Sequence, residues 1–133
     1  MAYKHILLAT GGSEHSRKAE EEALRLALAL RSQLTALAVV QASSIDTEMT
    51  DELAPRRQAL ENYKKSCNEA GLAVETLLEI GTPGDAIIRV AKRYQCDLIV
   101  LGRRRLSLAA TVAVGSVSNY VIRRAVGPVL IVQ

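Results

Sequence analysis

Five short aliphatic runs punctuate the chain, and between them apolar residues recur at helical spacing. The runs are His5-Ile6-Leu7-Leu8-Ala9, Leu34 to Val40, Leu72 to Ile80, Asp97-Leu98-Ile99-Val100-Leu101-Gly102 and Val129 to Val132. Each is the length of a strand and reads apolar on both faces, which suits a sheet covered by helices on both sides. Strands that alternate with helices predict right-handed crossovers and a parallel sheet. At 133 residues the chain fits one ordinary domain, 1–133, with little left for a second.

The intervals carry their own punctuation. Thr10-Gly11-Gly12-Ser13 ends the first run, and Ser13 is placed to cap a helix with Glu14 in its first turn. Ala19, Ala23, Leu26, Ala27 and Leu30 form that helix's inner stripe, and it ends near Ser32. Residues 42–54 read as a polar surface connection, its acids Asp46, Glu48, Asp51 and Glu52 solvated. A second helix is expected from about Pro55, with Leu60, Tyr63, Cys67 and Ala70 inward and Gly71 as its stop. Thr82-Pro83-Gly84-Asp85 opens a third helix with a Thr cap, Pro at the first position and an acid in the first turn. Its inner face is Ile87, Ile88, Ala91 and Tyr94. The last helix spans about Ser116 to Ala125, with Val117, Tyr120 and Val121 inward.

Composition narrows the function classes. Hydrophobic residues make up 49% of the chain, yet Trp and Phe are absent and only four Tyr are present, so the core is aliphatic. The net charge of +3 permits attraction to anions without arguing for nucleic acid. No aromatic residues interleave with the basic ones, which speaks against a base-stacking platform for single strands. Cys67 and Cys96 stand apart, with no C-x-x-C spacing, so neither a disulfide framework nor a zinc site is expected. No apolar run approaches a membrane span and the start has no signal-peptide layout, which predicts a cytoplasmic protein.

In open sheets of this kind, ligands sit at the carboxyl ends of the strands where strand order reverses. Two segments should meet there: Thr10-Gly11-Gly12 after the first strand, and Gly102 to Gly115 after the fourth. Gly115-Ser116 enters the last helix, where backbone N–H groups make a ready phosphate cradle and Ser116 and Ser118 add hydroxyls. On spacing alone, Gly102 only turning the chain and Ser116 only capping the helix is the simpler account. Arg103-Arg104-Arg105 reads either as a solvated basic loop or as an anion site. His5 and His15 have no partner in a motif and read as surface or edge residues. No nucleophile elbow, P-loop or dinucleotide fingerprint occurs.

These segments, together with Gly115-Ser116-Val117-Ser118-Asn119-Tyr120-Val121 and Gly127-Pro128-Val129-Leu130-Ile131-Val132, resemble the universal stress protein family over nearly the whole chain. The resemblance implies a three-layer α/β sandwich, adenine nucleotide alpha-hydrolase-like, with a five-stranded parallel sheet of order 3-2-1-4-5. It also implies a homodimer in which the strand Val129 to Val132 pairs antiparallel with its copy. Such pairing has a physical motive, because an uncovered apolar edge strand invites aggregation.

Members of the family that bind ATP carry a Gly, two residues, a Gly, nine residues, then Gly and Ser or Thr. The first and last elements match at Gly102 and Gly115-Ser116, but the middle Gly position is Arg105. The acid that those members place after the first strand is Gly11. By the same resemblance Thr10 and Val39 face an adenosine, and Ser116, Val117 and Ser118 form the phosphate end. Ala9 and Leu101 complete the candidate cofactor-binding set at the strand ends.

Arg105 narrows the path of a triphosphate, and losing the acid removes a ribose acceptor, at a cost of about 1 kcal/mol. The chain therefore resembles the branch of the family with a degenerate motif that does not retain ATP. The expectation is a dimeric, binding or regulatory stress protein without tight ATP binding, the alternative being an ATP- or AMP-binding protein. Nothing in the motif supplies a general base, so no substantial catalysis is expected, and a weak ATPase is the least favoured reading.

Overall fold

The structure is a computed structural model that describes residues 3–11, 14–41, 47–102 and 116–133. Its elements alternate as the sequence pattern predicts: β1 (His5–Ala9), α1 (Glu14–Leu30), β2 (Gln33–Val40), α2 (Thr47–Glu69), β3 (Val74–Ile80), α3 (Pro83–Arg93), β4 (Leu98–Gly102), α4 (Ser116–Arg124) and β5 (Val129–Val132). The five strands form one sheet of order β3-β2-β1-β4-β5, and every pairing is parallel. The expected α/β sandwich and strand order are both present.

Alternation along each strand divides the core in two. Ile6 and Leu8 of β1 join Leu34, Ala36 and Ala38 of β2 under α1 and α2, with Leu60, Tyr63 and Cys67 pressed against them. Leu7, Leu37, Ile99 and Leu101 point the other way, under Ile87, Val90 and Ala91 of α3 and Val121 of α4. Ala19, Ala23 and Ala27 are fully buried, so α1 approaches the central strands with nothing bulkier than methyl groups between.

Three boundaries differ from the sequence reading. First, α2 begins at Thr47, eight residues before Pro55, which lies inside the helix. Pro55 removes one backbone donor, and the helix continues through it. Second, β3 begins at Val74, because Gly71 at φ +93° closes α2 and the Leu72 N–H returns to the Cys67 carbonyl at 2.9 Å. Ala70 is exposed, so the inward stripe stops at Cys67. Third, Thr82 occupies the N-cap position of α3, but its side chain makes no capping bond. Ser13 and Gly12 lie outside the described residues.

Gly84 in the first turn of α3 has a packing reason. A Cβ there would sit 2.7 Å from Cδ1 of Tyr120, so the bare backbone lets the ring of α4 lie flat on α3.

Candidate functional site

Strand order reverses between β1, which continues to β2 and β3, and β4, which continues to β5. At this switch point the carboxyl ends of β1 and β4 lie side by side, with Ala9 paired to Leu101 on one flank and to Leu37 on the other. The structure thus brings Ala9, Thr10, Gly11, Val39, Leu101 and Gly102 to one edge of the sheet. The helices after β3 and β4 return across the sheet, so α3 and α4 both begin at this edge, as the Gly84–Tyr120 contact requires. Within α4, Ser116 is exposed, Val117 half-buried, and Ser118 buried at 5% exposure. Arg103, Arg104, Arg105 and Gly115 lie outside the described residues.

The polar groups at this edge are engaged from within the chain. Thr10 is only 6% exposed, and its N–H continues the ladder to the Leu37 carbonyl at 2.8 Å. Its hydroxyl donates to a carboxylate oxygen of Glu20, two turns into α1. Burial pushes the Glu20 carboxyl above its ordinary range, and the Thr10 bond and the Arg17 charge draw it partly back. Behind it, the Tyr63 hydroxyl donates to the Glu20 backbone carbonyl at 2.8 Å, tying α2 to α1. At the end of β2, the Arg56 Nε–H donates to the Val39 carbonyl at 3.0 Å.

Gly11 is different. It is exposed, and among the described residues a Cβ built on it meets nothing within 4 Å. Among the described residues nothing there opposes a larger side chain.

The opposite edge holds a polar cluster of another kind. Asp97, just before β4, accepts from the backbone N–H of Lys4 at 2.9 Å and of His5 at 3.0 Å. Partial burial pushes this carboxyl up, but those backbone donors outweigh it and hold the group below the usual aspartate range. The His5 ring bridges the Tyr94 carbonyl at 3.1 Å and the Thr35 hydroxyl at 2.7 Å. A carbonyl only accepts, so Nδ1 carries the proton and, in the neutral ring, Nε2 accepts from Thr35. His5 is therefore a half-buried clamp between β1, β2 and the end of α3, rather than the loose edge residue expected from its isolation in sequence.

The universal stress protein family model matches residues 2–133. The chain belongs to that family. A universal stress protein of Synechocystis sp. is 31% identical over 153 residues, covering 100% of this chain and 99% of the relative. Among solved structures, the universal stress protein UspA from Lactobacillus plantarum has a TM-score of 0.89 at 28% identity, covering 100% of this chain and 99% of that one. A universal stress protein in complex with cAMP has a TM-score of 0.81 at 29% identity, covering 100% of this chain and 98% of that one.

Four engaged residues of this family member escaped the sequence reading: Glu20, Arg56, Asp97 in its clamping role, and Thr35. Glu20 is one of three consecutive acids and Arg56 one of two consecutive arginines, so the one-dimensional pattern does not distinguish the inward member. Among the described residues, no group of three or more His, Cys, Asp or Glu could hold a metal ion. No described helix is long and apolar enough to cross a membrane.

Proposed function

We propose that the chain, as a single domain of residues 1–133, is a dimeric binding protein with a regulatory role in the stress response. Its carboxyl-edge crevice is a weakened adenine-nucleotide site that does not hold ATP tightly. The observation that carries this reading is the end of β1, where Gly11 offers no side chain to a ribose and the Thr10 hydroxyl is already donated to Glu20. Arg105, where ATP-binding relatives have glycine, adds to it from sequence.

The dimer is supported by β5, which is half-exposed from Val129 to Val132 and, among the described residues, pairs only with β4. Ile122, at 48% exposure, and Val126, at 90%, extend the uncovered apolar surface beside it. Two free thiols, Cys67 and Cys96, support a reducing compartment, and we place the protein in the cytoplasm on that ground. The arrangement supports binding and no substantial catalysis.

A second reading, an ATP- or AMP-binding protein, is favoured by the similar protein solved with cAMP. Native mass spectrometry and calorimetry decide between the two. The first reading expects protein free of nucleotide and an ATP dissociation constant of about 1 mM or weaker. Co-purifying adenine nucleotide, or submillimolar affinity, establishes the second.

A further inference from the structure

In a parallel strand, alternate carbonyls point to the same neighbour. The Leu37 carbonyl faces β1, where it accepts from Thr10, and the Val40 carbonyl faces β3, where it accepts from Gly81 at 2.9 Å. Val39, two residues beyond Leu37, therefore turns its carbonyl toward the β1 side. Among the described residues, pairing of β1 with β2 ends at Ala9 and Leu37, with the Thr10 N–H beyond it. The Val39 carbonyl thus projects over the end of β1, into the crevice at the switch point. It is a backbone acceptor aimed at the place where the fold offers a ligand site.

The chain places its own donor on that acceptor. Arg56 reaches across from α2, and its Nε–H meets the Val39 oxygen at 3.0 Å. A charged donor makes one of the stronger bonds available to a carbonyl. Thr10 and Gly11, the candidate contacts just after β1, do not replace this acceptor.

We propose that Arg56 is a specificity-determining residue of the crevice, holding the carbonyl that a nucleobase amino group would otherwise use. The inference rests on the reading of the crevice as a weakened adenine-nucleotide site, and it adds a cause of that weakness on the base side. AMP and purine riboside 5′-monophosphate separate the effect cleanly, because they differ only in a 6-amino group against a hydrogen atom. Freeing the Val39 carbonyl rewards the amino group and gives nothing to the nucleotide that lacks it. An arginine that merely holds α2 against the sheet has no means of telling the two nucleotides apart.

The test titrates AMP and purine riboside 5′-monophosphate separately into the wild type, R56M, R56A and R56K, following backbone NMR shifts so that millimolar affinities are readable. Thermal melting of each variant checks the fold, and R56M retains the apolar stem of the side chain. The ratio of AMP affinity to that of purine riboside 5′-monophosphate should rise about fivefold to tenfold in R56M and R56A, the size of one hydrogen bond gained. R56K, which keeps a cationic donor, should stay near the wild-type ratio. An unchanged ratio, with both affinities moving together or neither variant taking up AMP, overturns the role of Arg56. Submicromolar AMP binding by the wild type instead overturns the weakened-site reading, and the ratio in the variants still decides the role of Arg56.

Discussion

The two edges of the sheet carry similar polar residues and use them in opposite ways. At the amino edge, Asp97 and His5 join Lys4, Thr35 and Tyr94, so strands β1, β2 and β4 are stitched by backbone-directed bonds. At the carboxyl edge, Glu20 and Arg56 reach from helices onto Thr10 and Val39, at the positions a ligand would approach. The first edge is a clamp whose groups have structural partners. The second is a crevice whose polar positions are engaged by the chain or, at Gly11, left bare. Stability and binding should therefore separate by edge.

The largest effect is expected at the clamp. Asp97→Ala removes a carboxylate that accepts two backbone N–H groups, so unfolding in urea should show a loss of about 2–3 kcal/mol. The same residue sets an acid limb. Its carboxyl is held below the usual aspartate value, so its contribution is present at neutral pH and is lost as pH falls through about 3.9 and below. Asp97→Asn should flatten that limb of the stability profile. An Asp97 variant as stable as the wild type at neutral pH would erase the distinction between the edges.

Next comes packing at the other edge. Gly84→Val forces side-chain atoms into the space of the Tyr120 ring and should cost about 1–3 kcal/mol by thermal unfolding. A smaller loss, about 1 kcal/mol, is expected for Thr10→Val. The Thr10 bond also draws the Glu20 carboxyl down, so in this variant Glu20 should titrate higher still, as followed by carboxyl NMR shifts. Downward movement of Glu20 would contradict the hydrogen bond's assigned role.

Much of the fold was legible because β1 and β4, at the centre of the sheet, are aliphatic runs buried on both faces, and such a run can be little else. Periodicity also marked the inner faces of α1 and α3. It failed at α2, where Pro55 and a polar approach look like a helix start although a single missing donor is tolerated inside a helix. The candidate edge was readable from topology and from Gly102, Gly115-Ser116 and Thr10-Gly11. The residues that fill it were not, because Glu20 and Arg56 gain their meaning from where two helices lie over the sheet. His5 and Asp97 were hidden for the same reason: they are 92 residues apart in sequence and bonded in space.

The central claim is that the family's nucleotide site persists with two contacts changed. The most direct measurement is ATP affinity of the double variant Gly11→Asp with Arg105→Gly, by calorimetry beside the wild type. Among the described residues nothing at Gly11 opposes the carboxylate, so the substitution should leave stability nearly unchanged. Two restored contacts of about 1 kcal/mol each predict ATP binding about thirtyfold tighter. A correctly folded double variant with no gain in ATP affinity would contradict the account, showing a crevice rebuilt for something other than a nucleotide.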